Sequence, residues 1–249
     1  MRITVLGSGA CLPSKERGAA AYCVALEQFT LLVDCGSGAT RQMARAGLDF
    51  RAIDMVCLSH VHPDHAGDLA ILVQALKVSP ERRKELVVGG DRRIGAFYRQ
   101  VVTEMVGSVG NFTVRVVDLE KGFEGPQVRI ATMRVPHSAP ALALRLTTEK
   151  GLSVVFTGDT GWTDDLVAFC RGADLLVADS STAEGPPLSG HMTGEQCGRL
   201  AALAGVGRLL LSHFYPATDP QQCAAACRRH YDGPVVLAED LLVVTMKAS

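Results

Sequence analysis

The sequence predicts an α/β fold: two β-sheets sandwiched between layers of helices, in one domain spanning residues 1–249. Three observations predict it. Short apolar runs of strand length recur along the whole chain. A β-rich first half with helical insertions leads into a second half of alternating strand and helix. No Pro/Gly/Ser-rich linker or repeat interrupts the series. The composition, 47% hydrophobic and 20% charged, is that of a core-forming chain, long enough to fold without staples.

Ile3 to Leu6 reads as a strand ending in the turn Gly7-Ser8-Gly9. That turn lacks the Lys-Ser/Thr of a phosphate loop. Residues 10–20 form a polar loop. Tyr22–Glu27 and Thr30–Val33 read as a hairpin, followed by the turn Asp34-Cys35-Gly36-Ser37-Gly38. Thr40–Ala46 is helical, with Gly47 as its C-cap. Met55–Leu58 is a buried strand running into a histidine cluster. Leu69, Leu72, Val73 and Leu76 recur at helical spacing within 67–78. A strand at 86–88 and a helix from Arg92 to Val106 come next. Strands follow near 113–117, 128–135, 141–147 and 153–157, then a helix over 163–170. Strands at 175–178 and 209–211 alternate with helices at 194–204 and 220–230. Strand-like segments at 234–237 and 241–245 close the chain.

The formal net charge of −1 gives no global attraction to nucleic acid and leaves room for a small anionic substrate. The eight cysteines form no Cys-x-x-Cys pair, which excludes a zinc ribbon and a thioredoxin motif. Cys223 and Cys227, one turn apart, read as small residues packed in a helix. Scattered thiols fit a reducing compartment. The N-terminus has no apolar signal core, and no apolar run reaches the ~20 residues that span a bilayer. The expectation is a soluble, cytoplasmic protein with no membrane partner.

Ser59-His60-Val61-His62-Pro63-Asp64-His65 carries the chemistry. Four potential ligands lie directly after a buried strand, and imidazole with carboxylate suits zinc and similar divalent ions. An extended His60 and His62 point to the same side and can share one metal. Beyond the Pro63 turn, Asp64 and His65 can reach a second, about 3.5–4 Å away. His137, His213 and Asp159 each sit at another strand end, and His191 lies in Gly-His-Met-Thr. His230, among Arg228, Arg229 and Tyr231, reads as a solvated surface residue.

His60-x-His62-x-Asp64-His65, then His137, Asp159 in Gly-Asp-Thr and His213 in Ser-His-Phe, resemble the ordered motifs of the metallo-β-lactamase superfamily across essentially the whole chain. The resemblance implies the αββα sandwich of that family, with two mixed sheets between helix layers. It implies two divalent ions, foremost Zn2+ with Mn2+ or Fe as alternatives. His60, His62 and His137 would hold one, Asp64, His65 and His213 the other, and Asp159 would bridge them. Asp34 resembles a carboxylate that orients a ligand histidine; a turn-capping role is the alternative.

His191 resembles the His-x-Thr motif of the ribonuclease Z branch, in which a non-ligand histidine protonates or stabilises the leaving oxygen. Asp179 stands where that branch carries its acidic partner. A metal-activated hydroxide, with Asp64 as proton acceptor and His191 as acid, would cleave a phosphodiester. The alternative for His191 is a neighbour of the helix cap Thr193. The long arm with which ribonuclease Z grips tRNA, between His137 and Asp159, is absent here. The expected substrate is therefore a small or single-stranded phosphodiester, a cyclic nucleotide or short RNA. A lactonase or thioesterase using the same metals is the first alternative, and a tRNA 3′-processing endonuclease the second. A metal-bound scaffold without activity sits poorly with an intact ligand set. The branch also implies a homodimer. The basic residues of 82–99, Arg82, Arg83, Lys84, Arg92, Arg93 and Arg99, read either as a solvated helix face or as a positive lid over the site.

Overall fold

The architecture follows from strands that are apolar on both faces. A computed structural model describes residues 1–82 and 84–247. The first sheet begins with β1 (Arg2–Gly7), β2 (Ala21–Ala25) and β3 (Thr30–Cys35). α1 (Ala39–Arg45) leads to β4 (Met55–Cys57), α2 (Pro63–Ala66), α3 (Leu69–Lys77) and β5 (Leu86–Gly90). α4 (Ile94–Phe97), a π-helical stretch (Tyr98–Thr103) and α5 (Glu104–Val106) run on without a break to β6 (Val114–Asp118).

The second sheet contains β7 (Phe123–Gly125), β8 (Val128–Val135), β9 (Ala141–Thr148) and β10 (Ser153–Phe156). It continues with α6 (Asp164–Cys170), β11 (Leu175–Asp179), α7 (Gly194–Ala204), β12 (Leu209–Ser212), α8 (Pro220–Arg228) and β13 (Val235–Leu237). β14 (Val243–Thr245) returns to the first sheet, antiparallel to β1. The strand orders are β14-β1-β2-β3-β4-β5-β6 and β13-β12-β11-β10-β9-β8-β7. Both sheets are mixed: β3 to β6 and β10 to β13 pair in parallel, and the remaining pairs are antiparallel.

Side-chain alternation builds the four layers. In β3, Leu31 and Val33 face the space between the sheets, and Leu32 faces the helices. In β11, Leu175 and Val177 face inward while Leu176 and Ala178 face α6, α7 and α8. The inner core joins both sheets through residues such as Ile3, Val24, Leu144 and Phe156. α7 and α8 pack backbone to backbone: a Cβ on Gly198 would lie 2.3 Å from the Cys227 carbonyl oxygen. Cys223 and Cys227 are buried there, as the sequence suggests. No helix among the described residues is long and apolar enough to cross a membrane.

The structure departs from the sequence reading in four places. β7 falls in a segment with no apolar run to announce it. The helix expected over 67–78 begins at Leu69, because the Asp68 carboxylate turns back to accept from Gly38 N, Thr40 N and Thr40 Oγ1. The last strand starts at Val243, beyond Leu241, which adopts a φ of 70°. Finally, Arg82 is buried: its guanidinium donates to the carbonyls of Arg51, Ile53 and Glu85 at 2.6–2.9 Å. Lys84 likewise donates to Ala52 O and Asp54. Arg82 is thus a bolt on the 49–54 turn, neither solvated face nor lid, while Lys84 ties the same turn from an exposed position. Arg83 lies outside the described residues. Arg92, Arg93 and Arg99 are exposed.

Candidate metal centre

The strand ends of both sheets converge at one edge of the sandwich. Asp34 comes from the end of β3, and 59–65 follows β4. His137 follows β8, Asp159 follows β10, Asp179 ends β11, and His213 follows β12. The sheets are tied together here by a hydrogen bond from Leu142 N to Ser59 O, 2.9 Å. Glycine is required where the loops close. A Cβ on Gly36 would lie 2.1 Å from the Asp64 carbonyl oxygen, and Gly158 holds a φ of 58° with Ser59 Cβ 2.9 Å from its missing Cβ. Asp34 and His213 adopt φ values of 58° and 61°, costly for non-glycine residues and concentrated at functional sites.

Two ligand groups result, and a third set, Asp159, Asp179, His191 and His213, overlaps the second. The nitrogens of His60, His62 and His137 lie within 4.8 Å of one another, as do the donor atoms of Asp64, His65, Asp159 and His213. His62 Nδ1 is 2.9 Å from His60 Nε2 and 3.2 Å from His137 Nε2. His65 Nε2 and His213 Nε2 are 3.4 Å apart, and Asp64 Oδ2 lies 3.6 and 3.5 Å from them. Asp159 stands between the groups. Its Oδ1 is 3.1 and 3.2 Å from His65 and His213, and its Oδ2 is 3.9 and 3.8 Å from His60 and His137.

The outer partners fix which ring nitrogen carries the proton. His65 Nδ1 donates to Asp34 Oδ2 at 2.8 Å, so Asp34 orients a candidate ligand. Ser59 N also donates to Asp34 at 2.7 Å. Ser59 Oγ donates to Asp34 Oδ2, 2.9 Å, and accepts from His60 Nδ1, 3.1 Å. His137 Nδ1 donates to the Gly190 carbonyl, 3.1 Å. His213 Nδ1 faces Asp179 Oδ1 at 3.4 Å. With a cation in place of the Nε2 protons, these four rings would aim Nε2 lone pairs into the cluster, and His62 would aim Nδ1. Nitrogen lone pairs about 3 Å apart repel unless a cation lies among them, and Asp159 Oδ1 is buried without a hydrogen-bond donor among the described residues. The donor sets therefore suit divalent cations, and Asp159 lies between the first two.

Electrostatics agree. Burial, reinforced by the His65 cation, pushes the His60 pKa down to about 2. Burial opposes charge on His213 too, yet Asp159, Asp179 and Asp64 outweigh it and raise the pKa to about 10. Asp159, buried but ringed by His213 and His65, is held well below the usual carboxylate range. The second group thus attracts positive charge strongly.

His191 overlaps the second group: one of its ring nitrogens lies within 4.8 Å of donor atoms of Asp159, Asp179 and His213. Its Nδ1 donates to Asp179 Oδ2 at 2.8 Å. Its ring stacks on His213 (centroids 5.4 Å, 14°) and meets His137 edge-on at 5.2 Å. Asp179 is placed by Asp179 N donating to Thr157 Oγ1 and by Ser181 Oγ donating to its Oδ1. Thr193 does cap α7, through a reciprocal bond with Gln196; the cap and the His191–Asp179 pair coexist. His230 lies on the surface beside Glu195, 3.4 Å away. All of the sequence-derived site residues are brought together. Sequence reasoning missed Ser59, the Gly190 carbonyl and Tyr215, whose ring packs edge-on against His191 and His213. Nothing in their residue types announces these roles.

Residues 30–214 match the family model described as Beta-lactamase superfamily domain. An uncharacterized protein of Mycobacterium tuberculosis is 32% identical over 94% of this chain and 88% of its own. The metallo-β-lactamase fold protein YhfI from Bacillus subtilis superposes with a TM-score of 0.87 at 24% identity, covering 98% of both chains. The short form of human tRNase Z superposes at 0.78 with 26% identity, covering 99% of this chain and 100% of that one. The chain belongs to the β-lactamase superfamily and has the metallo-β-lactamase fold of its metal-dependent hydrolases.

Proposed function

We propose that the protein is a metal-dependent phosphodiesterase acting on a small or single-stranded phosphodiester, such as a cyclic nucleotide or a short RNA. The observation that carries this reading is the His191–Asp179 pair, 2.8 Å apart and packed against both ligand groups. Thioester hydrolysis expels a thiolate, which gains less from a dedicated acid than the alkoxide that leaves a phosphodiester. His60, His62 and His137 would hold one divalent ion, Asp64, His65 and His213 the other, and Asp159 both; Zn2+ suits this set best. The two ions would supply charge neutralisation at the phosphoryl oxygens and acidify the attacking water.

The chain's own residues do the rest. Asp64, next to Pro63, accepts the proton of the attacking water. Asp179 keeps Nδ1 of His191 protonated and its Nε2 edge toward the substrate, so the ring can pass a proton to the departing alkoxide. Asp34, Ser59 and the Gly190 carbonyl hold the ligand rings in register. Between His137 and Asp159 there are only β9, a tight turn and β10, which supports a short substrate over tRNA.

A side-by-side assay tests this: bis(p-nitrophenyl) phosphate, a 2′,3′-cyclic nucleotide, a homoserine lactone and a thioester, with metal-loaded protein. Phosphodiester turnover alone is expected. His191→Ala should lower turnover of a phosphodiester with a poor leaving group by about a hundredfold or more, with metal content unchanged. Turnover of lactone or thioester alone would discard the reading, and metal loss in His191→Ala would mean that His191 is a ligand.

A further inference from the structure

Tyr215 stands two residues beyond His213 and takes no part in the chemistry above. Its ring meets His191 at 5.9 Å and 87° and His213 at 6.0 Å and 81°. The side chain is half-buried. Its oxygen lies 3.7 Å from Sγ of Cys11, an exposed thiol on the loop that follows β1. That loop is pinned in place. Ala10 N donates to Phe214 O, Phe214 N donates to Ser8 O, and the Arg17 guanidinium lies 4.8 Å above the Phe214 ring. The phenol is thus fixed where the His191 ring meets the rim of the site.

A phenol is protonated at neutral pH and both donates and accepts. The Cys11 thiol donates to the Tyr215 oxygen. The only side-chain partner within reach of the phenolic proton among the described residues is that sulfur, a weak acceptor, so a substrate oxygen would be a better one. A leaving oxygen that takes its proton from His191 has the rest of the leaving group on this rim. We propose that Tyr215 is a specificity residue, donating its O–H to the leaving group and favouring phosphodiesters whose leaving alcohol is a nucleoside over those that release a simple phenol. A nucleoside carries a ring oxygen and a hydroxyl within a few bonds of the leaving oxygen. A p-nitrophenyl group offers no acceptor that close. The inference rests on the phosphodiesterase reading and adds to it the side of the substrate that is recognised.

Tyr215→Phe keeps the ring against both histidines and removes only the O–H. Steady-state kinetics of the metal-loaded enzyme on a dinucleoside monophosphate and on bis(p-nitrophenyl) phosphate read the effect. The expected result is a fall of about five- to twentyfold in kcat/KM for the dinucleotide, mostly in KM, as one hydrogen bond to substrate predicts. The aryl ester should change less than twofold. Equal losses on both substrates would show that the phenol only aligns His191 and His213, and no loss on either would show that it is idle. Each of these overturns the proposal. Cys11 gives a readout independent of turnover, because the other seven cysteines are buried. Adenosine, the leaving alcohol of an adenylyl dinucleotide, should slow iodoacetamide labelling of Cys11 in the wild type, and less so in Tyr215→Phe. Absence of protection in the wild type would overturn the proposal as well. A wild-type enzyme inactive on both diesters would bring down the phosphodiesterase reading, and this inference with it. An active wild type with an unselective Tyr215→Phe would bring down this inference alone.

Discussion

Asp179→Asn probes the centre most sharply, because this one carboxylate serves two histidines. Its Oδ2 takes the Nδ1 proton of His191 at 2.8 Å, and its Oδ1 faces Nδ1 of His213 at 3.4 Å. The amide preserves shape but removes the charge and turns one acceptor into a donor. On the Oδ1 side the NH2 opposes His213 Nδ1–H; on the Oδ2 side it opposes His191. A hydrogen bond to a charged partner is worth about 1.5–3 kcal/mol, so turnover should fall by roughly 10- to 150-fold. The pH profile should move as well. Burial lowers the His191 pKa, but Asp179 outweighs it and holds the value above the ordinary 6.5. The acid works in its protonated form, so activity is full below that raised pKa and declines as pH rises through it. Without the carboxylate this alkaline limb should shift to lower pH. Measuring kcat/KM against pH, with bound metal quantified in the same preparations, tests both halves. An alkaline limb that stays in place, with activity lost only in proportion to metal, would show that Asp179 acts through His213 alone and that His191 is not the acid.

Two further perturbations separate scaffold from centre. Arg82→Ala strips three carbonyls of their shared donor, at about 1 kcal/mol each. Denaturant melts should therefore show a loss of about 3 kcal/mol, with specific activity per folded molecule unchanged; lost activity at full stability would restore the lid. Chelation should lower the thermal midpoint by several degrees, because Asp64 and Asp159 are then buried without their cations, and added Zn2+ should restore it. An unchanged midpoint after verified metal removal would contradict the assigned ligands.

What could be read from the sequence was what is local or periodic. The segment 59–65 declares itself because four donors lie within six residues, and the strands declare themselves because burial on both faces makes them uniformly apolar. The helix Gly194–Ala204, behind its cap Thr193, has the limits that the sequence suggests. What stayed hidden depends on contacts between distant segments. Arg82 looks like any charged surface residue, and only the fold brings Arg51, Ile53 and Glu85 around it. Asp34 was ambiguous between cap and orienting carboxylate until His65 Nδ1 was found 2.8 Å away, across 31 residues.

The hidden part is also the part that decides chemistry. The ligand set is common to the fold, so the ligands alone do not choose a reaction. The choice falls to groups just outside them. Asp34 and Ser59 come from the first sheet and set His65 and His60, while Asp179 and the Gly190 carbonyl come from the second and set His213, His191 and His137. The two candidate ligand groups draw on both halves of the sandwich, so the relative position of the sheets fixes the spacing between them. The proposed acid and the rim phenol, His191 and Tyr215, lie on the second sheet's side. A relative can keep every ligand and exchange only those two residues, and it would then hold the same metals while expelling a different leaving group.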